Sequence, residues 1–333
     1  MSELPAGIDS FLKSAGWGGA DIDPIPGDAS FRRYFRIKDS SGDGGRKAML
    51  MFAPPPEEDP KPFLRVARWL SGNQQRAPEI YADDAPQGWV LIEDFGNDRM
   101  RDWLDDNPAG EMKAYQAAID ALVDLHQQPA GPFNPYDLAV YQRETALLTE
   151  WYCPAMGLEV DQAGYIAAWE EALSPMFDRQ KPGVTVLRDY HAENIMLLDP
   201  ATDGSGAQGL IDFQDALVGH PAYDLVSLLQ DARRDVSPAL ERAMLDHYIA
   251  RAQPDAEFEA DYARLGAQRN AKIVGIFTRL NKRDGKPHYL DLIPRVWEAM
   301  ERDLAHPALA PVAAWFGVNI PQELRDAKGG RPQ

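Results

Sequence analysis

Three polar residues stand where apolar runs end: Asp189 and Asn194 within Val186-Leu-Arg-Asp-Tyr-His-Ala-Glu-Asn-Ile-Met-Leu-Leu198, and Asp212 within Leu210-Ile-Asp-Phe-Gln-Asp215. Asn194 and Asp212 offer hard oxygens of the kind Mg²⁺ takes while it keeps several waters and binds substrate phosphates. A separate Asp can then accept a hydroxyl proton. This is the division of labour in phosphoryl transfer, where a protein mostly positions reactants and offsets charge. A single Asp at a strand end is most often a turn or capping residue. The ordered trio, in a strand–loop–strand context, is what points to chemistry.

The elements that must position this trio are legible in outline. The run Phe31-Arg-Arg-Tyr-Phe-Arg-Ile37, the turn cluster Ser40-Ser-Gly-Asp-Gly-Gly45 and the run Lys47-Ala-Met-Leu-Met-Phe-Ala53 read as a hairpin. A helix over 62–70 and strands around 79–82 and 88–94 follow. Helical periodicity fills 110–178 and returns after Pro221, clearest over 239–251, 258–280 and 290–304. Between these helices lies a β-rich block, 183–187, 194–198 and 209–213, with Asp212 at the end of its last strand and a small internal hairpin expected within it. The terminal Gly-Gly-Arg-Pro-Gln is expected to fray. The fold class read from this is α+β: a small antiparallel-sheet lobe over 1–93, a connector at 94–99, and a larger, mainly helical lobe over 100–333. A cleft between lobes is a common place for a ligand.

Composition narrows the function classes. Of 333 residues, 44 % are hydrophobic and 26 % charged, values of an ordinary globular chain. Lys and Arg number 34 against 52 Asp and Glu, a formal charge of −18 that repels phosphate backbones, so no nucleic-acid or membrane partner is expected and no obligate protein partner is evident. One cysteine, Cys153, excludes an intramolecular disulfide and any Cys cluster. With no basic-then-apolar leader and no run of about 20 apolar residues, the expected location is the cytoplasm.

The segments Leu187-Arg-Asp-Tyr-His-Ala-Glu-Asn194 and Ile211-Asp-Phe-Gln-Asp-Ala-Leu-Val-Gly-His-Pro-Ala-Tyr-Asp-Leu225 resemble the aminoglycoside phosphotransferase and choline kinase family of protein-kinase-like small-molecule kinases. Gly27-Asp-Ala-Ser-Phe-Arg-Arg-Tyr-Phe-Arg36 and Gly275-Ile-Phe-Thr-Arg-Leu-Asn-Lys-Arg-Asp-Gly-Lys286 resemble a subgroup acting on the anomeric hydroxyl of N-acetylmuramate and N-acetylglucosamine in cell-wall recycling. The resemblance runs from about residue 25 to 305 and implies a two-lobe protein-kinase-like fold, with ATP and Mg²⁺ as cofactors and a small sugar as the other partner. It implies that Asp189 is the catalytic base and that Asn194 and Asp212 hold Mg²⁺. It also implies that the loop Asp28, Ala29, Ser30, Phe31, Arg32 and Arg33 covers the nucleotide phosphates, and that main-chain groups of Glu93, Asp94 and Phe95 meet the base. Asp224, with Arg188 and His191, would brace the catalytic loop.

The sequence departs from the family pattern in one place that matters. Where the family carries a phosphate-holding Lys on the third strand, this chain has Met51, and Lys47 lies about 13 Å earlier at extended-strand rise. Either Arg32 or Arg33 substitutes, or the nucleotide is held differently; no partner Glu for the missing lysine is identifiable on the helix that carries Arg65, Arg68 and Trp69. His191 titrates near neutrality and competes with Asp189 for the base role, though a bracing role suits it better. His126 and His220 read as packing or turn residues, and Asp215 as either a group near the metal or a helix N-cap before Ala216. Arg279 and Arg283 could read a sugar or a lactyl carboxylate, for which a guanidinium fork is suited, or else complement a helix C-terminus. Trp151 and Tyr152 are either a sugar-stacking platform or core aromatics. The acceptor stays open between an amino sugar and an aminoglycoside, choline, an amino acid or homoserine. A nucleotide-binding module without turnover is the alternative from another class.

Overall fold

A computed structural model describes residues 4–26, 31–39, 45–199 and 204–332. The loop residues Gly27, Asp28, Ala29 and Ser30 lie outside them. In chain order the elements begin with α1 (Ile8–Ser14), β1 (Asp21–Ile25), β2 (Arg33–Asp39), β3 (Arg46–Phe52), α2 (Lys61–Gly72), β4 (Ile80–Asp84), β5 (Trp89–Glu93), α3 (Met100–Asp106) and α4 (Glu111–His126). Then come α5 (Leu138–Leu147), a π-helical turn (Leu148–Tyr152), α6 (Cys153–Ala155), α7 (Gln162–Arg179), β6 (Val184–Val186), β7 (Ile195–Leu197), β8 (Gln208–Leu210) and β9 (Leu217–Gly219). The chain continues with α8 (Ala222–Leu229), α9 (Pro238–Ala252), α10 (Phe258–Asp284), α11 (Ile293–Leu304), α12 (Ala310–Asn319) and α13 (Gln322–Asp326). These group into two compact units, residues 1–108 with 193–215 and residues 109–192 with 216–333, a division different from the boundary read at 93–100.

In the first unit five antiparallel strands run in the order β1-β2-β3-β5-β4. Side chains alternate across such a sheet, so the register fixes two faces. Phe35, Ile37, Ala48, Leu50, Trp89 and Leu91 form one buried cluster with Ile8, Phe11, Leu12 and Trp17 of the N-terminal segment. Tyr34, Arg36, Met49, Met51, Val90 and Ile92 are paired across the other face. β1 is unannounced in the sequence because Pro24 interrupts it; as an edge strand it tolerates the missing N–H.

The β-rich block is two ribbons rather than one hairpin. β7 pairs with β8 in the first unit, while β6 pairs with β9 in the second. The strand expected over 209–213 stops at Leu210, and Asp212 sits in a turn with φ 57°. Asp215 caps no helix, because Ala216 leads into β9. The terminal glycines are docked, not frayed: Gly329 is buried, accepts a bond from the Tyr152 hydroxyl at 2.7 Å, and has no room for a Cβ against Trp297.

In the second unit the long helix α10 is central to the packing. Gly275 lets it cross the end of α5 in backbone contact, since a Cβ there would lie 2.3 Å from the Leu147 carbonyl carbon. α10 buries an unusual series of polar groups, Asp261, Arg264, Gln268, Arg269 and Asn270, and each needs an internal partner.

Candidate active site

Asn194 and Asp212, the two residues expected to hold Mg²⁺, lie in the first unit. The β7–β8 ladder extends one step beyond Ile195 opposite Leu210, through an Ile211 N–H bond to the Asn194 carbonyl at 3.1 Å. That brings Asn194 Nδ2 to 3.5 Å from Asp212 Oδ2. Turning the amide over presents its oxygen instead, and then two hard oxygens face one point. Gln214 donates to the other Asp212 oxygen at 2.9 Å and fixes the carboxylate's orientation. Among the described residues no group of three or more His, Cys, Asp or Glu could hold a metal. One carboxylate and one amide match a Mg²⁺ ion that takes its remaining ligands from water and phosphate.

The ribbon is pinned to the segment expected to meet the nucleotide base. Leu197 N–H bonds the Asp98 carbonyl and Leu210 N–H the Arg76 carbonyl, both at 2.8 Å. Arg76 also grips Glu93 with both guanidinium nitrogens, at 2.7 and 2.5 Å, and lies over the Phe95 ring at 4.7 Å. Its hydrogen bonds to Glu93 raise the Arg76 pKa and lower that of Glu93. Asp94 is taken by Arg36 at 2.7 Å, whose guanidinium also reaches the Gly96 carbonyl and Asn97. All three side chains at 93–95 are therefore engaged.

Asp189 lies in the second unit. Its loop is held from both sides. Asp224, fully buried, accepts the Leu187 N–H at 2.6 Å and the Arg188 N–H at 2.8 Å. Burial pushes Asp224 up to about 7 against those two bonds, and the Asp189 charge adds to the rise. Arg188 has φ 72°, an uncommon left-handed conformation for a long side chain. Its guanidinium meets Glu144 of α5. Glu144 also receives the Tyr136 hydroxyl, Lys272 Nζ at 3.1 Å and the Gln268 amide at 3.3 Å. Lys272 in turn donates to the Tyr223 hydroxyl at 3.2 Å. Burial alone would raise the Asp189 pKa, but the positive charges of Lys272, Arg269 and Arg188 outweigh it and hold the carboxyl below its ordinary range. His191 is buried and its pKa is lowered, by desolvation first and then by Arg233 and Arg269. Its Nε2 lies 3.4 Å from the Arg233 guanidinium, an arrangement that only the neutral ring can accept.

Other expected residues fall in distinct places. His126 bonds the Tyr248 hydroxyl at 2.8 Å, and His220 faces Asp261. Tyr152 is a fully buried core aromatic, tilted against Trp297, so the platform reading fails for it. Trp151 is half-buried on the π-helical turn, a kind of local irregularity frequent at functional sites. On α10, Arg283 is exposed and spends its guanidinium on Asp284 at 2.7 and 2.9 Å. Arg279 is half-buried, and its buried Nε has no hydrogen-bond partner among the described residues. Phe31 is exposed, and the guanidinium of Arg33 lies 5.2 Å from the Phe35 ring. Glu144 and Lys272 were not anticipated from the sequence. Their signal was position: on α10, Arg264, Gln268 and Lys272 recur every fourth residue and share a face, a polar stripe along the helix.

Comparison with known proteins gives consistent results at two levels. The chain is 34 % identical to the N-acetylmuramate/N-acetylglucosamine kinase of Caulobacter vibrioides, over 97 % of this chain and 99 % of the relative. It is 36 % identical to the protein of the same name from Pseudomonas aeruginosa, over 97 % of each. Among solved structures, the choline kinase LicA of Streptococcus pneumoniae matches with a TM-score of 0.60 at 13 % identity, covering 91 % of this chain and 97 % of that one. A streptomycin–ATP–APH(2")-IIa ternary complex matches at 0.59 and 14 %, covering 92 % and 98 %. The fold is thus protein-kinase-like, an antiparallel sheet with a mainly helical remainder. The phosphotransferase enzyme family APH matches residues 21–267, which include Asp189, Asn194 and Asp212, and this chain belongs to that family.

Proposed function

We propose that this chain is an ATP- and Mg²⁺-dependent kinase that phosphorylates N-acetylmuramate and N-acetylglucosamine, with the anomeric hydroxyl as acceptor, and that it serves peptidoglycan recycling. The observation that carries this reading is the near full-length similarity to kinases so named, at 34 and 36 % identity. The surroundings of Asp189 support it, because Arg188, Arg269 and Lys272 make them unfavourable for a cationic acceptor such as an aminoglycoside or choline.

In this reading Asp189 accepts a hydrogen bond from the sugar hydroxyl, orients its oxygen, and takes the proton as that oxygen bonds the γ-phosphorus and the bond from this phosphorus to the bridging oxygen breaks, releasing ADP. A carboxylate held ionised is ready for this across neutral pH. Asn194 and Asp212 hold Mg²⁺, which supplies charge neutralisation on the phosphates. The main chain at Asp94 and Phe95 reads the base, since the side chains there are engaged. Arg279, whose Nε has no hydrogen-bond partner among the described residues, is the better reader of the lactyl carboxylate; Arg283 is already matched by Asp284. Trp151 offers a face for the sugar ring.

The test is ADP release with ATP and Mg²⁺ against N-acetylmuramate, N-acetylglucosamine, glucosamine, choline, homoserine and kanamycin, with Asp189→Asn beside the wild type. Turnover on the two N-acetyl sugars is expected, with loss of the product's reducing end marking the anomeric position. Asp189→Asn should lower kcat by about 10²–10⁴-fold. Turnover only on a cationic acceptor, or ADP binding with no turnover on any acceptor, would sink the reading.

A further inference from the structure

In kinases the strand lysine that holds the nucleotide phosphates is itself aligned by a Glu from a neighbouring helix. Here that strand position is Met51, fully buried, with the Tyr34 hydroxyl lying 3.5 Å from its sulfur. The strand offers no charge at that point. We infer that Arg32, aligned by Glu58, takes the place of the missing lysine–glutamate pair and binds the nucleotide phosphates from the opposite strand of the same hairpin. The inference rests on the kinase reading above.

Four observations on one unit carry it. First, register separates the two candidate arginines. Tyr34 lies directly opposite Met51 on β2 and β3, and side chains two apart share a face, so Tyr34 and Arg36 lie on Met51's side of the sheet; Arg32, one residue ahead of β2, hydrogen-bonds the Tyr34 side chain. Arg33 is on the other side, where its guanidinium approaches the ring of the core residue Phe35. Second, Arg32 is in electrostatic reach of Asp212: burial works against its charge, yet Tyr34, Glu58 and Asp212 together raise its pKa. The charge of Arg32 is thus coupled to that of the residue proposed to hold the metal. Third, Arg32 Nε lies 3.4 Å from Glu58 Oε2, with both side chains about four-fifths covered. Fourth, Glu58 is fixed by its own turn, its N–H bonded to the Pro54 carbonyl at 2.9 Å just ahead of α2. A Glu immediately before this helix can align the arginine as a Glu within a helix would align a lysine. A guanidinium can also grip two phosphate oxygens at once, which a lysine cannot.

Isothermal titration of ADP and of adenosine into the intact protein tests this without turnover. Arg32→Ala should weaken ADP roughly 10- to 100-fold, the worth of charge-assisted hydrogen bonds, and leave adenosine unchanged. Arg33→Ala should leave both ligands within about twofold of wild type, as expected of a group facing away. Adding Met51→Lys to Arg32→Ala should recover much of the ADP affinity, because it returns the charge to the strand position. Unchanged ADP affinity in Arg32→Ala, an equal loss of adenosine, or a larger effect from Arg33→Ala would each overturn the inference. The kinase reading would survive any of these, since it is judged by turnover of the wild type on N-acetyl sugars.

Discussion

Replacing Glu144 by Gln probes the support under the loop that carries Asp189, the proposed base. Glu144 is 8 % exposed and its two oxygens serve Arg188, Lys272, Tyr136 and Gln268. Gln keeps the shape but removes the charge and turns one acceptor into a donor. It leaves Lys272, 12 % exposed, and Arg188, 21 % exposed, next to each other without their shared counter-charge. Breaking a buried pair from one side typically costs about 3–5 kcal/mol, far more than the pair contributes on balance, because an uncompensated buried charge stays behind. A loss of about 3–5 kcal/mol is therefore expected in urea denaturation at pH 7, read from the midpoint at constant m-value. The double variant Glu144→Gln/Lys272→Met removes the stranded ammonium as well. It should be about 1–3 kcal/mol more stable than the sum of the single effects, the size of coupling found between residues in one network. Catalysis should follow. Arg188 precedes Asp189 in the chain and holds a left-handed φ of 72° through this contact, so kcat should fall while the ADP affinity is unchanged. A single-variant loss under about 1 kcal/mol, or simple additivity in the double, would refute the claim that Glu144 is the hub of the network.

Three further outcomes are expected. Asp261 is fully buried; burial opposes its charge, but His220 and Arg179 overcome this and hold its pKa at about 2. Its folded value lies below the ordinary one, so its contribution is complete above pH 3.8 and is lost as pH falls toward 2, about 2.5 kcal/mol in all; acid unfolding of Asp261→Asn should show a correspondingly shallower pH slope. Gly209→Ala would put a methyl 2.5 Å from the Phe95 ring and should cost about 1–3 kcal/mol in stability, with Phe95→Leu restoring part of it in the double variant. Tyr152→Phe leaves the Gly329 carbonyl without its buried donor and should lower stability by about 1–3 kcal/mol in thermal unfolding, a loss that fraying of the last residues would not produce.

What the sequence disclosed and what it hid differ in range. Asp189, Asn194 and Asp212 could be read because a loop between two apolar strands is a local pattern, compressed into about two dozen residues. β1 was missed because Pro24 disguises an edge strand, and β6 and β7 were misassigned to one block because pairing partners are not local. Glu144 and Lys272 are 128 positions apart and individually ordinary in helices; only the packing of α10 across α5 makes them one pair. The same holds for Arg32 and Glu58. The sequence showed that the strand lysine was absent and offered two arginines for it; strand register, which assigns a face to Arg33 and Tyr34, and the bond of Arg32 to Tyr34 were needed to choose.

The two sets of internal charges suggest why a chain of formal charge −18 can handle anionic ligands. Its surplus of acid cannot attract phosphate, so any cation that does so must be placed individually and kept in position. Several cations of this chain are held by a carboxylate of their own unit: Arg32 by Glu58, Arg76 by Glu93, Arg36 by Asp94, Arg188 and Lys272 by Glu144. Pairing of this kind fixes geometry more than it adds attraction, since desolvation offsets most of the Coulomb gain. A site built from it selects ligands by where their charges fall. With Asp189 as the proposed base, a cationic acceptor would bring its charge beside the ammonium and guanidinium groups that hold this carboxyl below its ordinary range. An uncharged hydroxyl on an anionic or neutral sugar leaves that arrangement intact, which is the physical reason to expect discrimination against aminoglycosides by a member of their own enzyme family.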